Sequence, residues 1–184
     1  MRQRAGTAAV EFALLAPLFI LAFAGMIDLG NAIYTQIRLE AAVAAGANFA
    51  MLPTSIANVT QAHAATLANN IAAMVTSTIA TDAAHQPGAT VAVNNGPTVT
   101  VPIGSAAQTA GGSSTNVATS FYCPTGSPPN WTWGASVNAS TACAGGGVSG
   151  QFITITASYT FTAFFPYHFV QNGTMTVGMI VQTK

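Results

Sequence analysis

The sequence predicts an α+β protein in which a long N-terminal membrane-spanning helix continues into a small head domain. Two observations favour this class. An apolar run extends from Phe12 to Ile27, behind two arginines. Late in the chain, apolar and hydroxyl side chains alternate from Ile153 to Thr162, which is typical of a strand with one buried face. We expect the head to contain a second helix and an antiparallel β-sheet.

The N-terminal apolar run is short for a membrane span unless Glu11 is included in it. The uncharged run from Phe12 to Ile27 covers roughly 24 Å, less than a bilayer core of about 30 Å. Extending the span back to Thr7 closes the gap and places Glu11 inside the membrane. A charged side chain at mid-bilayer costs about 2.5 kcal/mol or more, so Glu11 needs a role or a partner.

The basic residues predict the orientation of the span. Arg2 and Arg4 precede it, and the next basic residue is Arg38, so the N-terminus is expected in the cytoplasm and the chain after Asp28 outside. Two other interpretations stay open. One is a secretory signal peptide cleaved after Ala24. The other is a plain anchor in which Glu11 reaches back to the cytoplasmic headgroups.

The residues around Glu11 resemble a known processing motif. Gly6 precedes Glu11 by five residues in front of an apolar helix, as in type IV prepilins. The stretch Arg4–Leu18, with its small residues, Glu-Phe pair and helical proline, resembles TadE/TadG-like pseudopilins of tight-adherence pilus machines. The acidic Asp28 that closes the apolar run is similar to that family as well. The resemblance covers residues 4 to about 50.

The resemblance implies processing and assembly. In that family a membrane prepilin peptidase cuts after the glycine, which here would remove a basic leader, residues 1–6, and leave Thr7 as the N-terminus. Glu11 and Phe12 would then be assembly residues, with the Glu11 carboxylate paired to the Thr7 amine of an adjacent subunit. Major pilins carry a bulky Phe where this chain has Thr7, which fits a minor pseudopilin. The implied partners are other pilin or pseudopilin subunits in a homo- or hetero-oligomeric fibre, the prepilin peptidase and the bacterial inner membrane.

The predicted domain organisation follows from this helix. We expect a helix over residues 7–52, transmembrane over 7–27 and extracytoplasmic over 28–52, and then a periplasmic or extracellular head over 53–184. Pro17 should kink the helix and Pro53 should end it. We expect the extracytoplasmic part to pack on the head through apolar side chains at helical spacing: Ile33, Ile37, Ala41 and Ala44.

The head should begin with a helix and continue as strands. A second helix is predicted from about Ser55 to Ala80, with its apolar positions at Leu67, Ile71, Met74, Val75 and Ile79. Alternation on both sides of Asn94–Pro97 predicts a β-hairpin. Residues 104–120 are low in complexity and are predicted to form a mobile loop. Further strands are expected near 153–161 and 175–181.

Two cysteines bracket a loop rich in Gly, Pro and Ser. Cys123 and Cys143 lie outside the membrane in the predicted topology, where thiols oxidise, so we expect a disulfide. A metal pair or a reactive thiol are the alternatives. Tyr122, Trp131 and Trp133 are a possible surface contact for a subunit or a sugar ring. Alternatively, they cover the disulfide and the sheet edge.

Composition weighs against several function classes. Charged residues make up 4% of the 184 residues and the net charge is zero, so the basic surface that nucleic-acid binding needs is missing. The paired titratable groups of an enzyme and the ligand clusters of a metal site are not evident, and no cofactor is expected. The expected function is a pseudopilin-like minor pilin or assembly component. The second hypothesis is a membrane-anchored or secreted module that binds a surface or glycan through the 123–143 loop.

Overall fold

A computed structural model describes residues 4–52, 60, 63–79, 86–115, 117–165 and 170–184. Within these ranges the chain forms two helices, α1 (Arg4–Ala50) and α2 (Ala64–Ile79). Seven strands follow: β1 (Gly88–Val93), β2 (Thr98–Val101), β3 (Thr109–Gly111), β4 (Thr125–Ser127), β5 (Asn130–Thr132), β6 (Phe152–Phe161) and β7 (Gly173–Gln182). The predicted α+β class with a long N-terminal helix is confirmed. The expected helix stop at Pro53 lies outside the described residues.

Five strands form the main sheet, in the order β3-β2-β1-β6-β7, and β4 pairs with β5 in a separate hairpin. β1 is antiparallel to both of its neighbours, so that Val91 lies opposite Val99 on β2 and Ile155 on β6. At the far end of the sheet, the Gln151 amide donates to the Lys184 carbonyl at 2.8 Å. The two long strands predicted late in the chain are therefore neighbours, β6 and β7.

The contacts divide the chain into two compact units. One contains residues 1–35 and 161–173, and the other contains residues 36–160 and 174–184. The second unit holds the hydrophobic core, which is built from α1, α2 and one face of the sheet. Its larger members are Leu39 and Val43 of α1, Leu67, Ile71, Val75 and Ile79 of α2, and Val91, Val93, Val99, Val101, Ile153, Ile155 and Val181 of the sheet.

The buried face of α1 differs from the predicted one. Ile33 and Ile37 were expected on the packed face, but they are 51% and 56% exposed. The core instead contains Leu39 and Val43 with a row of small residues that includes Ala47. Small side chains let two helices approach closely: a β-carbon on Gly46 would lie 2.7 Å from Val75 Cγ2. The larger isoleucines therefore face outward.

Helix α2 packs on β1 and β2 as an amphipathic helix. The predicted core positions Leu67, Ile71, Val75 and Ile79 are buried, whereas Met74 is 37% exposed. The described helix runs from Ala64 to Ile79, and most of the predicted stretch before it, residues 55–59 and 61–62, lies outside the described residues. The Ala64 amide at the start of this helix donates to the Thr60 carbonyl at 2.9 Å.

The predicted β1–β2 hairpin is confirmed, with Asn94 and Asn95 at its turn. Their φ angles are 48° and 52°, as a type I′ turn requires at both central positions. Asn94 is also buried, and its Nδ2 donates to the carbonyls of Val117 at 2.6 Å and Ser120 at 2.8 Å. A turn residue thus holds a distant segment of chain.

The segment 104–120, predicted to be a mobile loop, is mostly irregular in its described residues but contains one short strand and one core residue. Residues 109–111 form β3, which pairs with β2. Val117 is buried in the core and its carbonyl is bound by Asn94. Gly, Ser, Thr and Ala give no clear apolar alternation from which a strand could be predicted. Their backbone amides and carbonyls nevertheless form strand hydrogen bonds like those of other residues.

Candidate functional site

The first half of α1 has apolar side chains on every face, and little of their surface is buried by the rest of the chain. Nine large apolar side chains lie between Val10 and Phe23, and each is at least 42% exposed. They are Val10, Phe12, Leu14, Leu15, Leu18, Phe19, Ile20, Leu21 and Phe23. Pro17 lies within this uninterrupted helix. A helix that is apolar all round requires lipid or other helices around it, and α1 is the described helix long and apolar enough to cross a membrane.

Glu11 interrupts this surface with a carboxylate. It is exposed, and within the described part of the chain it makes no hydrogen bond or ion pair. Phe12 beside it is 71% exposed. Gly6 and Thr7 lie in the first turns of α1, which begins at Arg4. A hydrogen-bond donor or a cation for the Glu11 carboxylate must therefore come from outside the described residues.

The exposed apolar surface of α1 continues beyond the predicted span. Leu29, Ile33 and Ile37 recur every four residues and are 54%, 51% and 56% exposed. This spacing places them on one side of the helix. Their exposure is a feature that reasoning from the sequence missed, since it assigned the two isoleucines to the packed face.

Asp28 lies at the end of the apolar run, and the structure buries it completely. Its Oδ1 accepts a hydrogen bond of 2.8 Å from the backbone amide of Phe164. Its Oδ2 is buried without a hydrogen-bond partner among the described residues. The sequence marked Asp28 as an acidic residue after an apolar run, but no local pattern connected it to a segment 136 residues further on.

Cys123 and Cys143 are joined by a disulfide, with their Cα atoms 5.6 Å apart. The segment around them is held by backbone hydrogen bonds as well. The Tyr122 and Gly150 amides and carbonyls bond to each other at 2.9 and 3.1 Å, and the Cys143 amide donates to Gly147 at 3.1 Å. The disulfide therefore closes a segment whose ends are also fixed by an antiparallel bridge.

The three aromatic side chains of this segment are half-buried and separate into two places. Tyr122 and Trp133 form an edge-to-face pair with ring centroids 5.7 Å apart. Trp131 lies over β7, where a β-carbon on Gly178 would come within 2.8 Å of its ring. The structure therefore brings Tyr122 and Trp133 together and places Trp131 against the sheet.

A cleft of about 470 Å³ lies between the disulfide and the end of the main sheet. Trp131, Cys123, Cys143, Phe152 and Ile180 line it together with a glycine run, and no lining residue is charged. A more open depression of about 490 Å³ lies over Ser120, Val137 and Thr141 and has no aromatic lining. Among the described residues, no group of three or more His, Cys, Asp or Glu could hold a metal ion.

Comparison with known protein families finds a match in the N-terminal part of the chain. Residues 6–48 match the family model of TadE-like proteins. This segment contains Gly6, Glu11, Asp28 and most of α1, and it confirms the resemblance expected from the residues around Glu11. No curated protein and no solved structure matches the chain. The match supports a component associated with Tad pili, with one helix that fits a single-pass membrane anchor.

Proposed function

We propose that this TadE-like chain is a minor, pseudopilin-like subunit of a bacterial tight-adherence pilus, held in the inner membrane before assembly. The observation that carries the proposal is the bare apolar surface of α1 from Val10 to Phe23, within the segment that matches the family. Lipid covers this surface in the precursor, and neighbouring helices cover it in the fibre. The head then lies outside, where Cys123 and Cys143 meet an oxidising environment.

Two features favour assembly over simple anchoring. Glu11 has an exposed carboxylate that is costly in lipid and has no partner within the described residues. Ile33 and Ile37 extend the exposed apolar surface beyond the span, where lipid tails do not reach. A neighbouring subunit would account for both features. Its Thr7 amine would pair with the Glu11 carboxylate, and an apolar face of its helix would cover the exposed side chains beyond the span.

Processing after Gly6 is part of this proposal. A prepilin peptidase acting at the cytoplasmic face would release residues 1–6, removing Arg2 and Arg4 and creating the Thr7 amine. In the mature chain, the Thr7 amine would lie four residues before Glu11 in sequence. In a fibre the same amine can approach Glu11 of the next subunit.

The test is the mature N-terminus, determined by mass spectrometry of the chain in cells with and without the prepilin peptidase. We expect the chain to begin at Thr7 when the peptidase is present and to keep its leader when it is absent. A Gly6→Leu variant should keep the leader in both strains. A chain beginning at Gly25 would support a signal peptide instead, and an unprocessed chain in both strains would support a plain anchor.

The cleft beside the disulfide favours a second candidate function, binding of a neutral glycan by the head. Its volume of about 470 Å³ falls in the range of ligand pockets, and Trp131 supplies an aromatic surface. Because the lining has no charged residue, a neutral sugar fits it better than an acidic one.

Ligand-detected NMR with neutral oligosaccharides tests this second candidate. Saturation should pass to a bound sugar in the parent chain and be lost in Trp131→Ala, which removes the aromatic wall of the cleft. Trp133→Ala is the matched control, since Trp133 pairs with Tyr122 and does not line the cleft. Equal signals from both variants would contradict glycan binding in this cleft.

A further inference from the structure

The chain between β6 and β7 returns to the N-terminal helix. Residues 161–173 belong to the same compact unit as residues 1–35. The contact is specific: the Phe164 backbone amide donates to Asp28 Oδ1 at 2.8 Å. This hydrogen bond holds the Phe164 backbone at the level of Asp28 on α1.

The face of α1 that carries Asp28 is made of small residues around this carboxylate. Ala24, Asp28 and Ala32 follow one another at four-residue spacing and are 4%, 0% and 7% exposed. Small side chains on a helix allow another segment to approach its backbone closely. The buried Asp28 is costly to leave without hydrogen bonds, so the Phe164 amide is a contact that the fold needs to keep.

The side chain of Phe164 points away from this contact. It is 79% exposed, the highest value among the exposed large apolar side chains of the described residues. At the same level of α1, Met26, Ile27 and Leu29 are 67%, 53% and 54% exposed. Phe164 therefore extends the apolar surface of the span at its outer end, beside the first charged residue that follows Glu11.

We infer that residues 162–165 are a second membrane contact, in which Phe164 enters the outer headgroup and acyl boundary of the bilayer that α1 spans. The inference rests on the proposed membrane anchoring of α1. Aromatic and apolar side chains at such a boundary lie about 5–10 Å deep while their backbone remains near the headgroups. The segment has no charged residue that would oppose insertion, and Asp28 holds its backbone on α1.

Site-directed spin labelling of the full chain in liposomes tests this inference. A cysteine is introduced at Phe164, at Phe19 in the middle of the span, or at Val148, which is 52% exposed in the other compact unit. The native cysteines are disulfide-bonded, and the chain without an added cysteine serves as the labelling blank. The liposomes contain phosphatidylethanolamine and phosphatidylglycerol, with the protein at high dilution. Power saturation then compares access to oxygen, which enters lipid, with access to a water-soluble nickel chelate.

We expect the Phe164 label to be several-fold more accessible to oxygen than to nickel, with a shallower depth than the Phe19 label. The Val148 label should show the opposite preference. A Phe164 label that behaves like the Val148 label, while the Phe19 label stays in lipid, overturns the inference and leaves the anchoring intact. A Phe19 label in water overturns both. If the Phe164 label is shielded from the nickel chelate only at a high protein-to-lipid ratio, the shielding comes from contact between copies of the chain. That result also overturns the inference.

The Asp28 contact gives a second measurement. Asp28→Asn keeps an oxygen that can accept from the Phe164 amide, whereas Asp28→Ala removes it. The Phe164 label should move toward nickel access in Asp28→Ala and keep its depth in Asp28→Asn. Equal depths in the parent, Asn and Ala chains would show that Asp28 does not hold this segment in the membrane.

Discussion

Asn94 Nδ2 lies 2.6 Å from the carbonyl oxygen of Val117, and this contact joins the β1–β2 turn to a segment 23 residues away. The same amide group also binds Ser120, while the Asn94 backbone amide donates to Phe152 at 2.7 Å. One buried residue therefore connects the hairpin turn, the segment before the disulfide and the start of β6. Its position in a turn also requires a positive φ, which Asn tolerates well.

Replacement of Asn94 by Gly should destabilise the head by about 1–3 kcal/mol, because the Val117 and Ser120 carbonyls each lose a hydrogen-bond donor. Glycine keeps the positive φ, so the change reports on the side chain alone. Asn95→Gly is the matched control, since Asn95 is exposed at the next turn position. Urea unfolding of the full chain in detergent, followed by tryptophan fluorescence, measures both. Equal stability of the two variants would contradict the role of the Asn94 amide.

Gly46→Ala should destabilise the packing of α1 on α2 by about 1–3 kcal/mol, the usual cost of an overfilled core. The new β-carbon would lie 2.7 Å from Val75 Cγ2 and 3.4 Å from Ile71 Cγ2. Gly30→Ala offers the opposite case, because nothing lies within 4 Å of a β-carbon there. That variant should be neutral or more stable by up to about 1 kcal/mol, owing to the helix propensity of alanine. Thermal unfolding by circular dichroism in detergent should separate the two variants.

Arg38→Met should loosen the last turn of α2. The Arg38 Nη2 atom donates to the Ile79 carbonyl at 3.1 Å, where the helix dipole favours a positive charge. We expect a loss of about 1 kcal/mol and faster amide hydrogen exchange near residues 76–79. Gln36→Met is the control on the exposed side of α1, where Gln36 contacts Glu40. Unchanged exchange at the end of α2 in Arg38→Met would be evidence against this contact.

Replacement of both Cys123 and Cys143 by Ser should lower stability by about 3 kcal/mol in the loop-entropy account of a 20-residue separation. The cleft beside Trp131 should lose its shape, which a change in tryptophan emission would report. Insertion of α1 should be unaffected, because the anchor is remote in sequence. Non-reducing peptide mapping of the exported parent provides the control, and free thiols at both positions would contradict the pairing.

Glu11→Gln should leave expression, insertion and cleavage after Gly6 intact while incorporation into the fibre falls sharply. The neutral side chain is easier to hold in lipid, so weaker anchoring cannot explain such a loss. Glu40→Gln is the control, since it removes a carboxylate from the same helix outside the predicted span. The measurement compares the membrane-bound and sheared-fibre fractions of each chain. Equal partition of the parent and Glu11→Gln would refute pairing with the Thr7 amine.

Features with a regular period could be predicted from the sequence. The alternation through β6 correctly places Ile153, Ile155 and Ala157 in the core, because a strand sends successive side chains to opposite faces. Asn94 and Asn95 correctly mark a turn, because few residues tolerate positive φ at two successive positions. The resemblance of the N-terminal residues to TadE-like proteins is likewise confirmed, by the family match over residues 6–48.

Features that depend on shape or on distant contacts could not be predicted in this way. The packed face of α1 is built from small residues such as Ala42 and Gly46, whereas hydrophobicity alone favours Ile33 and Ile37. Met74 shares the helical spacing of its neighbours but lies at the margin of the buried face. Asp28 bonds to a backbone amide, which any residue except proline provides, so no sequence pattern identifies Phe164 as its partner.

The pairing of β1 with β6 has a consequence for the order of events during export. Val91 lies opposite Ile155 at the centre of the sheet, so the core cannot close until the chain has emerged well beyond the disulfide segment. α1 forms from local contacts and is available at once, whereas closure of the sheet must wait for a distant strand. Synthesis that stops before β6 would therefore leave α1 with an open hairpin. Under the proposed anchoring, α1 would hold the chain in the membrane before the head closes, and a head that fails to close would stay attached to the membrane.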